Sequence, residues 1–190
     1  MNELFPIFLK LHTLRTLVVG GGPVGLEKLQ ALLSNSPAAR IKVVAEKIQE
    51  DTAHFLAQHP QVAWDERRFE ERDLEDIDLV ILATNNAELN HRIRNFARSR
   101  HLLINVADKP ELCDFYLGSV VRKGNLKVAI STNGKSPTMA KRLKEFFQDL
   151  LPEEIDESLE LMKAYRDQLK GDFKYKVEQL NAHTREVLSP

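Results

Sequence analysis

The chain has 190 residues, of which 43% are hydrophobic and 29% are charged, and its formal net charge at pH 7 is -1. These values are typical of a globular protein and exclude a strongly basic surface, so we expect no nucleic-acid partner and no membrane partner. The single cysteine, Cys113, excludes an internal disulfide framework, and no stretch approaches the roughly 20 apolar residues that cross a bilayer. The sequence therefore predicts a cytoplasmic protein.

The first part of the chain alternates short apolar runs with amphipathic stretches. Apolar runs of this length are typical of buried parallel strands, and the stretches between them show the spacing of helices. The predicted strands are residues 15–20, 41–46, 78–84 and 101–108, and the predicted helices are residues 25–35 and 87–100. Strands that alternate with helices predict an α/β fold with a parallel, doubly wound sheet.

A different pattern begins after residue 113. The runs "FYLGSVV" and "LKVAIS" flank "RKGN", which predicts a hairpin of two antiparallel strands. A helix is predicted over residues 136–151, with Ser136 as its N-cap and Pro137 at its first position, and two more helical stretches follow. We expect three regions, which are residues 1–113, 114–150 and 151–190.

A glycine-rich segment joins the first predicted strand to the first predicted helix. Gly20, Gly22 and Gly25 match Gly-x-Gly-x-x-Gly, the pattern of a dinucleotide-binding turn. The first glycine permits the tight turn, the second admits a pyrophosphate to the backbone, and the third lets the helix pack closely on the sheet. The pyrophosphate would then lie at the helix N-terminus. The alternative is a turn that packs a helix on a strand without any ligand.

An acidic residue follows this motif at the end of the second predicted strand. Glu46 lies 21 positions after Gly25, where a carboxylate is expected to accept hydrogen bonds from the ribose hydroxyls. That carboxylate would repel a 2′-phosphate, so the sequence favours NAD over NADP as the cofactor. Lys47, which is next to Glu46, offsets part of this repulsion.

Polar groups follow the ends of the third and fourth predicted strands. Open parallel sheets bind ligands at the carboxyl ends of their strands. Thr84 lies at one of these ends, and Asn105 and Val106 lead to Asp108 at the other. Asp108 is therefore the candidate catalytic acid or base. Its alternative role is to cap a turn before Pro110.

The segment "AISTNGKSPTMAKRLK" is a second concentration of polar and basic residues. Its candidate substrate-binding residues are Ser131, Thr132, Lys135 and Ser136. Hydroxyl groups, a lysine and a helix N-terminus together make a site for an anionic ligand. The alternative is an ordinary N-cap followed by a solvated basic face. No histidine pair and no cysteine pair has the spacing of a zinc site, so we expect no structural metal.

Four of these segments occur together in one known family. "VVGGGPVGLEKLQALL", "LATNNAELN", "NVADKPELCDF" and "AISTNGKSPTMAKRLKEFF" stand in that order, after an opening Phe5-Pro6-Ile7-Phe8-Leu9. The chain resembles the precorrin-2 dehydrogenase/sirohydrochlorin ferrochelatase family, the amino-terminal module of siroheme synthases. The resemblance covers residues 4 to about 151.

The resemblance implies a Rossmann-type NAD domain, a small β-containing dimerisation region and a helical region. It implies a homodimer that binds a tetrapyrrole and performs the NAD-dependent oxidation of precorrin-2 to sirohydrochlorin, and some members also insert ferrous iron. The essential aspartate of the family falls on Asp108. The NAD contacts of the family fall on Pro23 and Val24, and on Glu46 and Lys47.

Two other functions are compatible with the sequence. A nucleotide-sensing regulatory module needs the glycine turn and Glu46 but has no use for Asp108 or for residues 131–144. A chelatase with little dehydrogenase activity would carry the same motifs. The chain shows no ligand pattern that separates these alternatives.

Overall fold

The computed structural model describes residues 2–184, and the chain forms two compact units. The first unit runs to Leu117 and includes Asn133–Lys135. The second unit comprises Gly118–Thr132 and the chain from Ser136 onwards. This division gives no test of the three predicted regions, whose boundaries near residues 113 and 151 stay predictions.

The first unit is built on a five-stranded sheet in which all strand pairs are parallel. The strand order β3-β2-β1-β4-β5 reverses beside β1, which makes this the doubly wound, Rossmann-type sheet that the sequence predicts. The strands are β1 (Arg15–Gly21), β2 (Arg40–Ile48), β3 (Ala63–Glu66), β4 (Leu79–Leu82) and β5 (Leu103–Val106). The helices are α1 (Pro23–Asn35), α2 (Glu50–Ala57) and α3 (Ala87–Ser99).

Both faces of this sheet are covered by helices. Val18 of β1 belongs to a buried cluster with Leu29 of α1 and Leu56 of α2. Its neighbour Leu17 belongs to the opposite cluster, with Ile93 of α3. Alternate residues of a strand point to opposite faces, so the continuous apolar run of β1 supplies both cores.

The structure adds α2 and β3 to the predicted elements, together with two short 3₁₀ helices (Glu71–Leu74 and Pro110–Leu112). Three of the four residues of β3 are exposed, and α2 buries only Thr52 and Leu56. Elements with so few buried positions show neither the apolar run nor the helical spacing on which the sequence prediction depends.

The second unit combines the predicted hairpin with three helices. Strands β6 (Ser119–Lys123) and β7 (Leu126–Ile130) are antiparallel, and they are followed by α4 (Pro137–Leu150), α5 (Ile155–Gln168) and α6 (Phe173–Thr184). The hairpin turn is tied to the start of α5, because Asp156 accepts hydrogen bonds from the backbone and side-chain amides of Asn125 at 2.6 and 2.9 Å. Lys123 of β6 pairs with Glu153.

Within residues 2–184, no helix is both long enough and apolar enough to cross a membrane.

Candidate functional site

The glycine turn lies between β1 and α1, at the point where the strand order reverses. Gly20 has a φ of +122°, and a Cβ placed on it would lie 2.3 Å from the carbonyl oxygen of Ala83. A Cβ on Gly25 would lie 2.2 Å from the carbonyl oxygen of Gly20. Gly20 and Gly25 are thus required by the packing of α1 and β4 against the turn, whether or not a ligand binds.

Gly22 differs from the other two glycines of the motif. A Cβ on Gly22 would have the Gln49 side-chain nitrogen at 3.6 Å as its nearest neighbour, which is ordinary contact distance. The protein packing therefore leaves room at Gly22, and that room is available to a ligand group. A side chain at this position would fill it.

The N-terminus of α1 is suited to an anion. Gly22 is its N-cap, and among the described residues no side chain caps it, while its first turn contains no acidic residue. The first amide groups of a helix, here including those of Val24 and Gly25, have no carbonyl partner within the helix. Pro23 at the first helical position has no N–H to satisfy. These residues fit a dinucleotide pyrophosphate.

Glu46 and Lys47 lie on an irregular stretch at the carboxyl end of β2. The register of β1 and β2 passes from Val19 opposite Val44 to Gly21 opposite Ile48, so β2 bulges between these pairs. Glu46 is exposed on this bulge, and its Oε1 forms an ion pair with Nε of Arg68 at 2.8 Å. No sequence pattern indicates Arg68, because an arginine in a loop has no spacing that links it to a distant glutamate.

Thr84 lies just past β4 and is held by Asn90 of α3. The Thr84 hydroxyl donates to Oδ1 of Asn90 at 2.7 Å, and the Asn90 amide donates to the Thr84 carbonyl at 3.0 Å. Asn90 is only 4% exposed. The hydroxyl proton of Thr84 is therefore directed to Asn90. Its oxygen already accepts from the Asn86 N–H at 3.3 Å, so a cofactor would meet it as an acceptor with one remaining lone pair.

Asn105 and Val106 hold the turn that follows β5. The Asn105 amide donates to the carbonyl of Phe115 at 2.8 Å, and the Val106 N–H donates to Sγ of Cys113 at 3.2 Å. The Cys113 sulfur also lies 3.2 Å from the carbonyl oxygen of Val106 and 3.3 Å from that of Lys109. Burial raises the pKa of the Cys113 thiol, so the thiol remains protonated and able to donate at neutral pH.

Asp108 lies at the tip of this turn and is exposed. Its φ of +57° is in the left-handed region, which aspartate and asparagine tolerate better than most residues. Within residues 2–184, no hydrogen bond or ion pair engages its carboxylate. The carboxylate does not cap the turn before Pro110, and it is available to a substrate.

The predicted anion-binding segment lies before and at the start of α4. Ser136 is the N-cap of α4, as predicted, and its hydroxyl accepts from the Met139 N–H at 3.1 Å. The Thr132 hydroxyl donates to the carbonyl of Ser136 at 3.1 Å and accepts from its N–H at 3.3 Å. Both hydroxyls thus stabilise the local turn. Lys135 is exposed, and Ser131 has a partner of its own.

Comparison with known proteins identifies the family. A family model described as "Putative NAD(P)-binding" matches residues 7–119, and one described as "Sirohaem biosynthesis protein central" matches residues 123–150. The chain belongs to the precorrin-2 dehydrogenase/sirohydrochlorin ferrochelatase family. The resemblance that its motifs predict is thereby confirmed.

Relatives of this family cover nearly the whole chain. Siroheme synthase 1 of Pectobacterium atrosepticum is 40% identical over 172 residues, which are 90% of this chain and 35% of the relative. The siroheme synthase of Vesicomyosocius okutanii is 32% identical over 189 residues, which are 100% of this chain and 40% of the relative. The chain therefore spans between a third and two fifths of the length of these relatives.

A solved structure supports the fold. The structure of SirC, a precorrin-2 dehydrogenase, matches with a TM-score of 0.74 at 23% identity, covering 98% of this chain and 90% of SirC. At this level of identity the match shows the fold.

Proposed function

We propose that this protein oxidises precorrin-2 to sirohydrochlorin with NAD as the electron acceptor. The observation that carries the proposal is the open space at Gly22, in front of an α1 N-terminus without acidic residues. The packing of the protein explains Gly20 and Gly25 but gives no reason for a glycine at position 22. The match to a sirohaem biosynthesis family model, and the description of SirC as a precorrin-2 dehydrogenase, support the choice of this reaction.

We propose that residues at the ends of different strands contact different parts of the dinucleotide. The backbone of Gly20, Gly22, Pro23, Val24 and Gly25 holds the pyrophosphate. Glu46 and Lys47 hold the adenosine ribose at the end of β2, while Thr84, Asn105 and Val106 line the end nearer the nicotinamide. A bound nicotinamide ring supplies a hydride acceptor.

Asp108 is proposed as the catalytic residue. Conversion of precorrin-2 to sirohydrochlorin removes a hydride and a proton, and the proton needs a base. An exposed carboxylate without a partner, just past the end of β5, is placed to accept that proton.

The segment of residues 131–136, before and at the start of α4, is proposed to bind the carboxylates of the tetrapyrrole. Lys135 and the start of α4 supply positive charge and helix-end amides, and Ser131, Thr132 and Ser136 surround this start. The hydroxyls of Thr132 and Ser136 already bond within the turn, so Lys135 carries the larger share of the attraction.

Ferrous iron insertion is proposed as a second activity of the same chain. A carboxylate with no protein partner is an oxygen ligand and a base, and a chelatase needs both when a metal replaces the pyrrole protons. Asp108 offers such a group. Iron is here a substrate.

The test of the proposed function is the formation of NADH from precorrin-2 by the purified protein. We expect stoichiometric NADH and sirohydrochlorin. A protein that binds NAD but leaves precorrin-2 unchanged would instead support the nucleotide-sensing alternative, and iron insertion into sirohydrochlorin without NADH formation would support the chelatase alternative.

A further inference from the structure

Arg68 lies just past the carboxyl end of β3, the strand next to the end of β2 that carries Glu46. β3 ends at Glu66 and lies next to β2, and Arg68 follows two residues later, at the same edge as Glu46. The two side chains are joined at 2.8 Å, while 85% of Arg68 and 64% of Glu46 remain exposed. Adjacent strands are about 4.8 Å apart, so Arg68 lies within reach of groups attached to a ribose that Glu46 binds.

The backbone that carries Arg68 is held by a partly exposed ion-pair network around the buried carboxylate of Asp73. The guanidinium of Arg67 donates to both carboxylate oxygens of Asp73, to Asp65 at 3.0 Å and to the carbonyl of Arg68 at 3.0 Å. Asp73 is only 4% exposed and also accepts from Lys42 at 3.2 Å. Arg68 therefore has a fixed main chain and a side chain that is free in solvent apart from its bond to Glu46.

The chemistry of Arg68 opposes that of Glu46. A carboxylate at the ribose rejects a 2′-phosphate because both groups are negative, whereas an arginine in this region accommodates the phosphate. Guanidinium groups bind phosphate in a bidentate manner, and these charge-assisted bonds are the stronger class of hydrogen bond. Lys47 lies beside Glu46, so the positive charges of Arg68 and Lys47 accompany the single negative charge of Glu46.

We propose that Arg68 is a specificity-determining residue that gives the site affinity for the 2′-phosphate of NADP in addition to its affinity for NAD. The proposal rests on the proposed cofactor role of the glycine turn and Glu46. When NADP binds, the guanidinium exchanges Glu46 for the 2′-phosphate. When NAD binds, the guanidinium stays beside Glu46, and the carboxylate accepts the ribose hydroxyls.

The experiment is calorimetric titration of the whole chain with NAD and with NADP. Arg68→Ala is compared with Arg72→Ala, which removes an exposed arginine from the same segment, where it pairs with Glu70. We expect Arg68→Ala to weaken NADP binding by about tenfold or more and NAD binding by less than about twofold, as loss of a charged hydrogen bond to phosphate predicts. Arg72→Ala should leave both affinities within about twofold.

A second variant tests the competition between the two side chains. Glu46→Gln should strengthen NADP binding in both backgrounds, because it removes a charge that repels the 2′-phosphate. The gain should be larger when Arg68 is present, because Arg68 is then released for the phosphate, and a double-mutant cycle measures this difference. Equal losses of NAD and NADP affinity in Arg68→Ala would show that Arg68 only orients Glu46 and would overturn the proposal. A wild-type protein that binds NAD but not NADP would also overturn the proposal. A protein that binds neither NAD nor NADP would contradict the cofactor site itself, and with it the proposed function.

Discussion

A Cβ on Gly25 meets a backbone oxygen at 2.2 Å, whereas a Cβ on Gly22 meets only the end of a flexible glutamine at 3.6 Å. Two positions of one motif therefore respond to substitution in different ways. Gly22→Asp should keep the fold, because aspartate is a favourable N-cap residue that exceeds glycine at this position by about a few tenths of a kcal/mol. It should abolish NAD binding, because its carboxylate would occupy the place of the pyrophosphate.

Calorimetry with NAD and thermal unfolding of the same protein separate these effects. Gly25→Ala is the matched control, since its methyl group collides with the Gly20 carbonyl and should lower the melting temperature. Undiminished NAD affinity in a folded Gly22→Asp protein would show that the glycine turn is not part of the NAD site.

The left-handed backbone of Asp108 determines which substitution tests its chemistry. Asparagine tolerates a φ of +57° about as well as aspartate, so Asp108→Asn should keep the turn and remove only the proposed base. The rate of NADH formation from precorrin-2 should fall about 100- to 10,000-fold, with NAD affinity nearly unchanged. The measurement is the initial rate at saturating NAD. A variant that retains more than about a third of the wild-type rate is incompatible with a catalytic base.

At the scale of elements, the network around Asp73 fastens the segment after β3 to β2. Burial alone would raise the pKa of Asp73, but hydrogen bonds from Arg67, the Glu70 N–H and Lys42 outweigh it and lower the pKa to about 2. The usual value is 3.8, so the stability from this group is complete above about pH 4 and is lost as the pH falls toward 2.

Asp73→Asn should destabilise the protein at pH 7 by about 2 kcal/mol, as loss of charged hydrogen bonds predicts. Between pH 4 and pH 2 the variant should lose less stability than the wild type, because the group that titrates is gone. Urea unfolding at several pH values measures both effects. Asp76→Asn is the control, since Asp76 is exposed and its pair with Arg15 is at the surface. Parallel acid curves for wild type and Asp73→Asn would contradict this assignment.

The elements that the sequence predicts are those that bury continuous apolar runs. β1, β2, β4 and β5 are such runs, and α1, α3 and α4 have apolar stripes or clear end signals. β3 and α2 escape prediction because they bury few residues. The same physics limits the prediction of the site: Glu46 and Asp108 follow from strand ends and spacing, whereas Arg68, Asn90 and Cys113 act through contacts between segments distant in the chain. Polar contacts of this kind leave no periodic signal.

At the scale of the whole molecule, α4 carries an exposed apolar stripe. Met139, Phe146 and Leu150 share one side of this helix and are 52%, 58% and 60% exposed. The helix also buries Ala140 in the second unit, so the stripe is additional to its packing face. Contiguous exposed apolar residues of this kind mark interaction surfaces. They support the proposal that the chain forms the homodimer that the family resemblance implies.

Phe146→Glu should convert the proposed dimer to a monomer, because a charge would be buried at the centre of the stripe. Sedimentation velocity of the wild type and the variant over a range of concentrations measures this. Lys144→Glu, at another exposed position on α4, is the control and should remain dimeric. A wild-type chain that stays monomeric at high concentration would contradict the dimer proposal and the assignment of the stripe to its interface.

The position of β1 inside the sheet also governs how the nascent chain must fold. β1 pairs with β2 on one side and with β4 on the other, and Thr16 lies opposite Leu79. At about 5–20 residues per second, the ribosome makes β1 and β2 some seconds before β4. During that interval, the backbone N–H and C=O groups on the β4 side of β1 have no partner, and an unpaired edge on an apolar strand invites pairing with other chains. Synthesis that stalls before residue 79 thus leaves an aggregation-prone fragment.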